Sequence, residues 1–162
     1  VLIVNIPPFG RQPAGVDCQV NVVSKKAPFN SELKVLVVED SVDLQVLLRA
    51  MLNEIPTVKV VASVGTEAAA VQALKADSAD LAIVDLELES GSGLGFLKSL
   101  SESLDLHDKL KVVIFSNYSN LVIRHRCLNL GAKAFFDKSF QIDELLEYVQ
   151  AEASGKAQGL TP

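Results

Sequence analysis

Five side chains in this sequence could share one piece of chemistry if the chain brings them together: Glu39, Asp40, Asp85, Ser116 and Lys138. Each follows a short apolar run. Val35-Leu36-Val37-Val38 precedes the first two, Leu81-Ala82-Ile83-Val84 precedes Asp85, Val112-Val113-Ile114-Phe115 precedes Ser116, and Ala134-Phe135-Phe136 lies just before Lys138. Three clustered carboxylates repel one another unless a proton or a cation sits among them, and an oxygen-lined site suits Mg²⁺, which keeps several of its waters. A carboxylate beside such a metal can attack a phosphoryl group and form an aspartyl phosphate, with the metal neutralising charge on the transferred oxygens. Lys138 would pair with another phosphoryl oxygen and Ser116 would donate a hydrogen bond to it.

Those runs imply the elements that must do the positioning. A buried strand ending at Glu39-Asp40 is followed by Ser41, a cap for a helix whose apolar residues Val42, Val46, Leu47 and Met51 have helical spacing, stopped by Pro56. Val58 to Val64 reads as a second strand, and Thr66 caps an Ala-rich helix to about Ala76. The third strand delivers Asp85, and a loop rich in Gly and Ser (Ser90, Gly91, Ser92, Gly93) leads to a helix with Leu94, Leu97 and Leu100 inward. A fourth strand ends at Ser116, a helix from about Asn120 to Leu130 is closed by Gly131, and a short fifth strand leads to Lys138. The last helix, from Ile142 to Ala153, turns Leu145, Leu146 and Val149 inward. Five strands alternating with five helices predict a doubly wound parallel sheet covered on both faces. Ligands bind such sheets outside the carboxyl ends of the strands, where all five candidate residues stand.

Composition narrows the classes. The chain has 162 residues, 22% of them charged, and a net charge of −5, which argues against a sequence-independent grip on nucleic acid or an anionic membrane. Cys18 and Cys127 share no metal or disulfide spacing, and the apolar opening Val1-Leu2-Ile3-Val4 is cut short by Asn5 and Pro7-Pro8. The expected compartment is the cytoplasm. Residues 1–32 hold four of the six prolines and read as an N-terminal arm or hairpin extension. Within it Val16, Cys18, Val20 and Val22 alternate with polar residues, a period suited to a strand that pairs with a sheet edge of this chain or of a neighbour. Residues 33–153 are expected to form the main domain and 154–162 a flexible C-terminal tail, and no output domain is expected in what remains.

From about Lys34 to Ala153 the chain resembles the receiver domain of two-component response regulators. The motifs are Val35-Leu36-Val37-Val38-Glu39-Asp40, Asp85 with Gly91 and Gly93 after it, Ile114-Phe115-Ser116, and Gly131-Ala132-Lys133-Ala134-Phe135-Phe136-Asp137-Lys138. The resemblance implies a flavodoxin-like fold with strand order 2-1-3-4-5, and phosphoryl transfer to Asp85 from a phosphohistidine on a sensor histidine kinase or histidine phosphotransfer protein. It implies Mg²⁺ held by Asp40, by Glu39 mainly through water, by Asp85, and by the backbone carbonyl of Glu87. Ser116 and Lys138 would hold the phosphoryl group, Phe135 would swing inward as Ser116 moves, and affinity for an unknown downstream protein would change. Three positions depart from the family's usual pattern: Ser139 in place of proline, Asn117 in place of a small residue, and Glu89 where proline is common. They bear on the rate and lifetime of phosphorylation.

Other readings compete. Taken singly, an acid at a strand end caps a helix, Lys138 is a solvated charge, and Ser116 a turn residue. Adjacent aromatics such as Phe135 and Phe136 are expected to send one ring to the core and one to the surface. His107 and His125 have no ligand spacing. Arg124, His125, Arg126 and Lys133 make a small basic cluster that is first a solvated helix face and second, with the N-terminal arm, a candidate homodimer contact. The Asp-nucleophile phosphatases need a second Asp where this chain has Glu87. A receiver-like interaction module working without phosphorylation is the remaining alternative, disfavoured because every site residue is present. The expectation is a signalling protein that acts on itself alone and does not bind DNA directly.

Overall fold

β-Branched and leucine-rich runs with almost no charge form strands that are buried on both faces, and here they order the whole molecule. The computed structural model describes residues 32–103, 110–118 and 120–155. In chain order the elements are β1 (Leu33–Val38), α1 (Val42–Asn53), β2 (Val58–Val64), α2 (Glu67–Ala76), β3 (Leu81–Val84), α3 (Gly93–Glu102), β4 (Lys111–Ser116), α4 (Leu121–Asn129), β5 (Ala134–Asp137) and α5 (Ile142–Ala153). The strands form one parallel sheet in the order β2-β1-β3-β4-β5. This is the doubly wound, flavodoxin-like order expected from the sequence. The expected strands in the N-terminal arm fall among residues 1–31, outside the described residues, as does the tail from 156.

Alternate strand residues feed two cores. On one face Val35, Val37, Ile83, Val113, Phe115 and Phe136 pack with Leu48 and Leu52 of α1 and Leu145, Tyr148 and Val149 of α5. On the other, Leu36, Val38, Val84, Ile114 and Phe135 meet Ala70 of α2, Phe96, Leu97 and Leu100 of α3, and Cys127 of α4. Helix starts are fixed by side-chain caps at Ser41, Thr66, Ser92 and Asn120, each accepting a backbone N–H three residues on. Gly131, at φ 104°, ends α4 in a Schellman turn: the Ala132 amide donates to Cys127 and the Gly131 amide to Leu128.

One expectation about a helix face needs correction. Val42, Val46 and Leu47 of α1 are exposed (69%, 64% and 48%), and the stripe that meets the sheet is Leu44, Leu48 and Leu52. The helix carries two apolar stripes at helical spacing, and β1 presents the second to the core. In α3 and α5 the residues expected inward, Leu94, Leu97 and Leu100 and Leu145, Leu146 and Val149, are buried or packed on the cores, joined there by Phe96 and Tyr148. No helix among the described residues is long and apolar enough to cross a membrane.

Candidate functional site

The parallel register brings the strand ends level. Val38 of β1 is paired with Val84 of β3, so Glu39 and Asp85 emerge side by side, and the Asp85 amide donates to the Val38 carbonyl at 2.8 Å. Ser116 of β4 is paired with Asp137 of β5, and the Lys138 amide donates to the Ser116 carbonyl at 3.2 Å. All five residues singled out from sequence therefore meet at one end of the sheet.

The crevice is acidic and mostly buried. Glu39, Asp85 and Ser116 are almost fully covered while Asp40 is exposed. Carboxylate oxygens of Glu39, Asp40 and Asp85 lie within 4.8 Å of one another. Lys138 extends its ammonium between two of them, 2.7 Å from Asp85 Oδ2 and 2.7 Å from Glu39 Oε2. The other Asp85 oxygen, Oδ1, accepts the Leu86 amide at 2.6 Å. Glu39 is held by the Ser41 amide on Oε1 (3.2 Å) and by Gln45, whose Nε2 donates to the Glu39 carbonyl at 2.5 Å. Gln45 was not among the residues picked from sequence; its role depends on α1 turning back over β1, which no local motif announces.

Burial pushes the Glu39 carboxyl above its ordinary value, and the Lys138 ammonium only partly offsets that rise. For Lys138 burial works to lower the pKa, but the hydrogen bonds and charges of Asp85 and Glu39 together outweigh it, and the net displacement is upward. The lysine thus stays charged in a site with three acids.

Ser116 Oγ accepts the Tyr118 amide at 3.3 Å. The loop after Lys138 is tied down without proline: the Ser139 amide donates to Asp137 Oδ1 at 2.8 Å, and Ser139 Oγ donates to Asn117 Oδ1 at 3.4 Å. Two of the three unusual neighbours thus bond to each other, and the third, Glu89, is exposed. Both rings of β5 are buried, contrary to the expectation of one on the surface. Phe135 enters the α2–α4 side, with the Arg124 guanidinium 5.5 Å from its ring centre, while Phe136 enters the opposite core against Tyr148 (5.7 Å, edge to face). His125, Arg126 and Lys133 are exposed on and after α4, as a solvated face would be, while Arg124 is half-buried against Phe135.

The loop after β3 is a compact turn. Glu87 pairs with Ser92 in an antiparallel bridge, and Gly93 packs so closely that a Cβ there would collide with the Asp85 carbonyl. An all-oxygen cluster of this kind, open to water at Asp40, fits a small hard cation such as Mg²⁺.

The receiver domain profile of response regulators matches residues 35–150. The chain is 36% identical over 102 residues to the protein-glutamate methylesterase/protein-glutamine glutaminase 1 of Rhodospirillum rubrum, a stretch that makes up 62% of this chain and 26% of that protein. It is 26% identical over 117 residues to sporulation initiation phosphotransferase F of Bacillus subtilis, covering 72% of this chain and 90% of the relative. Among solved structures, the response regulator domain of Thermotoga maritima CheB superposes with a TM-score of 0.65 at 22% identity, covering 80% of this chain and 98% of that one. The chain spans about a quarter of the methylesterase relatives' length, so the likeness to them is to their receiver portion. On the profile match over most of its length, the chain belongs to the response regulator receiver domain family.

Proposed function

We propose that this receiver accepts a phosphoryl group on Asp85 from a phosphohistidine of a sensor histidine kinase or histidine phosphotransfer protein. The observation that carries the reading is the convergence of Glu39, Asp40 and Asp85 within 4.8 Å, with Lys138 at 2.7 Å from two of them. A carboxylate oxygen of Asp85 attacks phosphorus as the bond to the donor imidazole breaks, and the imidazole nitrogen leaves with the electron pair. Glu39, Asp40, Asp85 and the Glu87 carbonyl would hold Mg²⁺, which supplies charge neutralisation for the phosphoryl oxygens. Lys138 balances the remaining charge, and Ser116 donates its hydroxyl to a phosphoryl oxygen.

The new dianion draws Ser116 toward it; the Phe135 ring, expected to swing inward, already lies in the core beside Arg124, so the change that a downstream protein reads starts from the Ser116 loop. Val42, Val46 and Leu47 of α1, which follows Asp40 in the chain, and Phe140 (84% exposed), two residues past Lys138, are exposed apolar side chains that a partner protein could cover. The name of the Bacillus relative, a phosphotransferase of sporulation initiation, supports a place in a phosphorelay. The protein is then a cytoplasmic signalling element whose only chemistry is its own phosphorylation and dephosphorylation, able to pair with a second copy and without direct contact to DNA.

Incubation with Mg²⁺ and a small phosphodonor, followed by intact-mass measurement, should give a single phosphate adduct that Asp85→Asn abolishes. Wild-type protein that takes up neither phosphate nor beryllofluoride would instead support a receiver-like interaction module that works unphosphorylated.

A further inference from the structure

Glu67 opens α2, where its type suggests nothing more than an acid in a helix's first turn. Its side chain leaves that helix and reaches the loop behind Asp85. Glu67 Oε2 accepts the Ser92 amide at 3.1 Å, and Oε1 accepts the Ser99 hydroxyl at 3.4 Å. The Glu67 amide donates to the Ser90 carbonyl at 3.1 Å, and Thr66 and Ser90 form an isolated parallel bridge. The carboxylate therefore ties the start of α2 to the start of α3.

Two glycines testify independently to the same contact. A Cβ at Gly91 would lie 2.5 Å from Glu67 Cβ and 2.6 Å from Oε2, in a residue already at φ 82°. A Cβ at Gly95 would collide with Glu67 Oε2 and lie 2.8 Å from Cδ. The spacing Gly91-Gly93-Gly95 is thus a cradle: the outer two make room for Glu67, and the middle one lets α3 lie against the Asp85 backbone. Glu67 holds Ser92, which is paired with Glu87, while the next amide, Gly93, donates to the Leu86 carbonyl at 3.2 Å. The carboxylate also sits at the N-terminal end of α3, where a negative charge is favoured.

We infer that Glu67 is a positioning residue for the cation site: by clamping Ser92 and Ser99 it fixes the 86–92 loop that carries the Glu87 carbonyl. This rests on the reading of Asp85 and Glu87 as Mg²⁺ ligands. Partners that orient metal ligands from behind are commonly worth about 10–100-fold in affinity.

The test uses the full chain as wild type, Glu67→Ala, Glu67→Gln, Gly95→Ala and the double variant Glu67→Ala/Gly95→Ala. Mg²⁺ affinity is measured by calorimetry, and amide exchange across residues 86–93 by NMR, with melting temperature recorded in EDTA. Glu67→Ala should weaken Mg²⁺ binding about tenfold or more and speed exchange of the Ser92 amide. Glu67→Gln, which keeps an acceptor without the charge, should fall between. Gly95→Ala should weaken Mg²⁺ on its own but add nothing in the Glu67→Ala background, because the space it invades is then empty. A Glu67→Ala protein that melts lower yet binds Mg²⁺ as wild type does, with unchanged loop exchange, overturns the inference and leaves Glu67 a structural tie. Wild-type protein that binds no Mg²⁺ overturns the ligand reading itself and this inference with it.

Discussion

Replacing Asp85 by Asn should stabilise the Mg²⁺-free protein, although it removes an ion pair. The Lys138–Asp85 contact at 2.7 Å is worth roughly 6 kcal/mol of Coulomb attraction at an effective dielectric of about 20. Against it stand the repulsions from Glu39 and Asp40, whose oxygens lie within 4.8 Å, together about 7 kcal/mol on the same scale. These terms nearly cancel, so desolvation decides the sign. An ionised Asp85 at 4% exposure costs several kcal/mol that the neutral amide escapes in large part. Lys138 is not orphaned, because Glu39 remains 2.7 Å away, and Asn keeps an acceptor for the Leu86 amide. A net gain of about 1–3 kcal/mol corresponds to a rise of roughly 3–10 °C for a domain of this size. Thermal melts of both proteins in EDTA and in excess Mg²⁺ provide the assay. Mg²⁺ should raise wild type more than the variant, closing the gap, since binding to the folded state alone adds stability. A lower melting temperature for Asp85→Asn in EDTA would refute the charge accounting, and indifference of wild type to Mg²⁺ would refute the cation site.

Further expectations concern the rest of the chain. Ser116→Ala should slow phosphate uptake from a small donor by about 10–100-fold, the loss of a hydrogen bond to a charged group, while barely moving the melting temperature; equal rates would remove Ser116 from the site. Burial, with the Glu152 charge and hydrogen bond adding to it, holds the Tyr148 phenol above its ordinary value. A folded-state value raised in this way leaves stability intact below about pH 10 and erodes it as pH climbs further. Melts of Tyr148→Phe should therefore decline less steeply above about pH 10 than those of wild type, and parallel curves would show that the phenol is not the group responsible. Deleting residues 1–30 should lower the melting temperature or change the mass seen by light scattering, since β2 has a free outer edge among the described residues and residues 16–22 have strand periodicity; a truncation that alters neither excludes the hairpin.

The strands were legible because each apolar run stops at a polar residue, and the caps at Ser41 and Thr66 because capping is a local bond between residues three apart. The convergence of Glu39, Asp40, Asp85, Ser116 and Lys138 followed from parallel strands presenting their carboxyl ends together. What the sequence hid is non-local. Val42 and Val46 share helical spacing as well as Leu44, Leu48 and Leu52 do, and only the approach of the sheet selects between the stripes. Phe136 is buried because α5 supplies Tyr148 opposite it. Glu67 matters only once α2 and α3 are packed side by side, and its one trace in the sequence is the spacing of the three glycines it and Asp85 require.

The sheet has a core on either side, yet β5 gives Phe135 to one and Phe136 to the other in successive residues, the second of them two positions before Lys138. Releasing the strand from one core would also strip its neighbouring residue from the other. Unfolding of the described domain should accordingly be a single cooperative event, with no intermediate that keeps one layer of helices. The same coupling makes the site a reporter of the entire sheet: whatever draws on Lys138 pulls on a strand anchored in both layers at once.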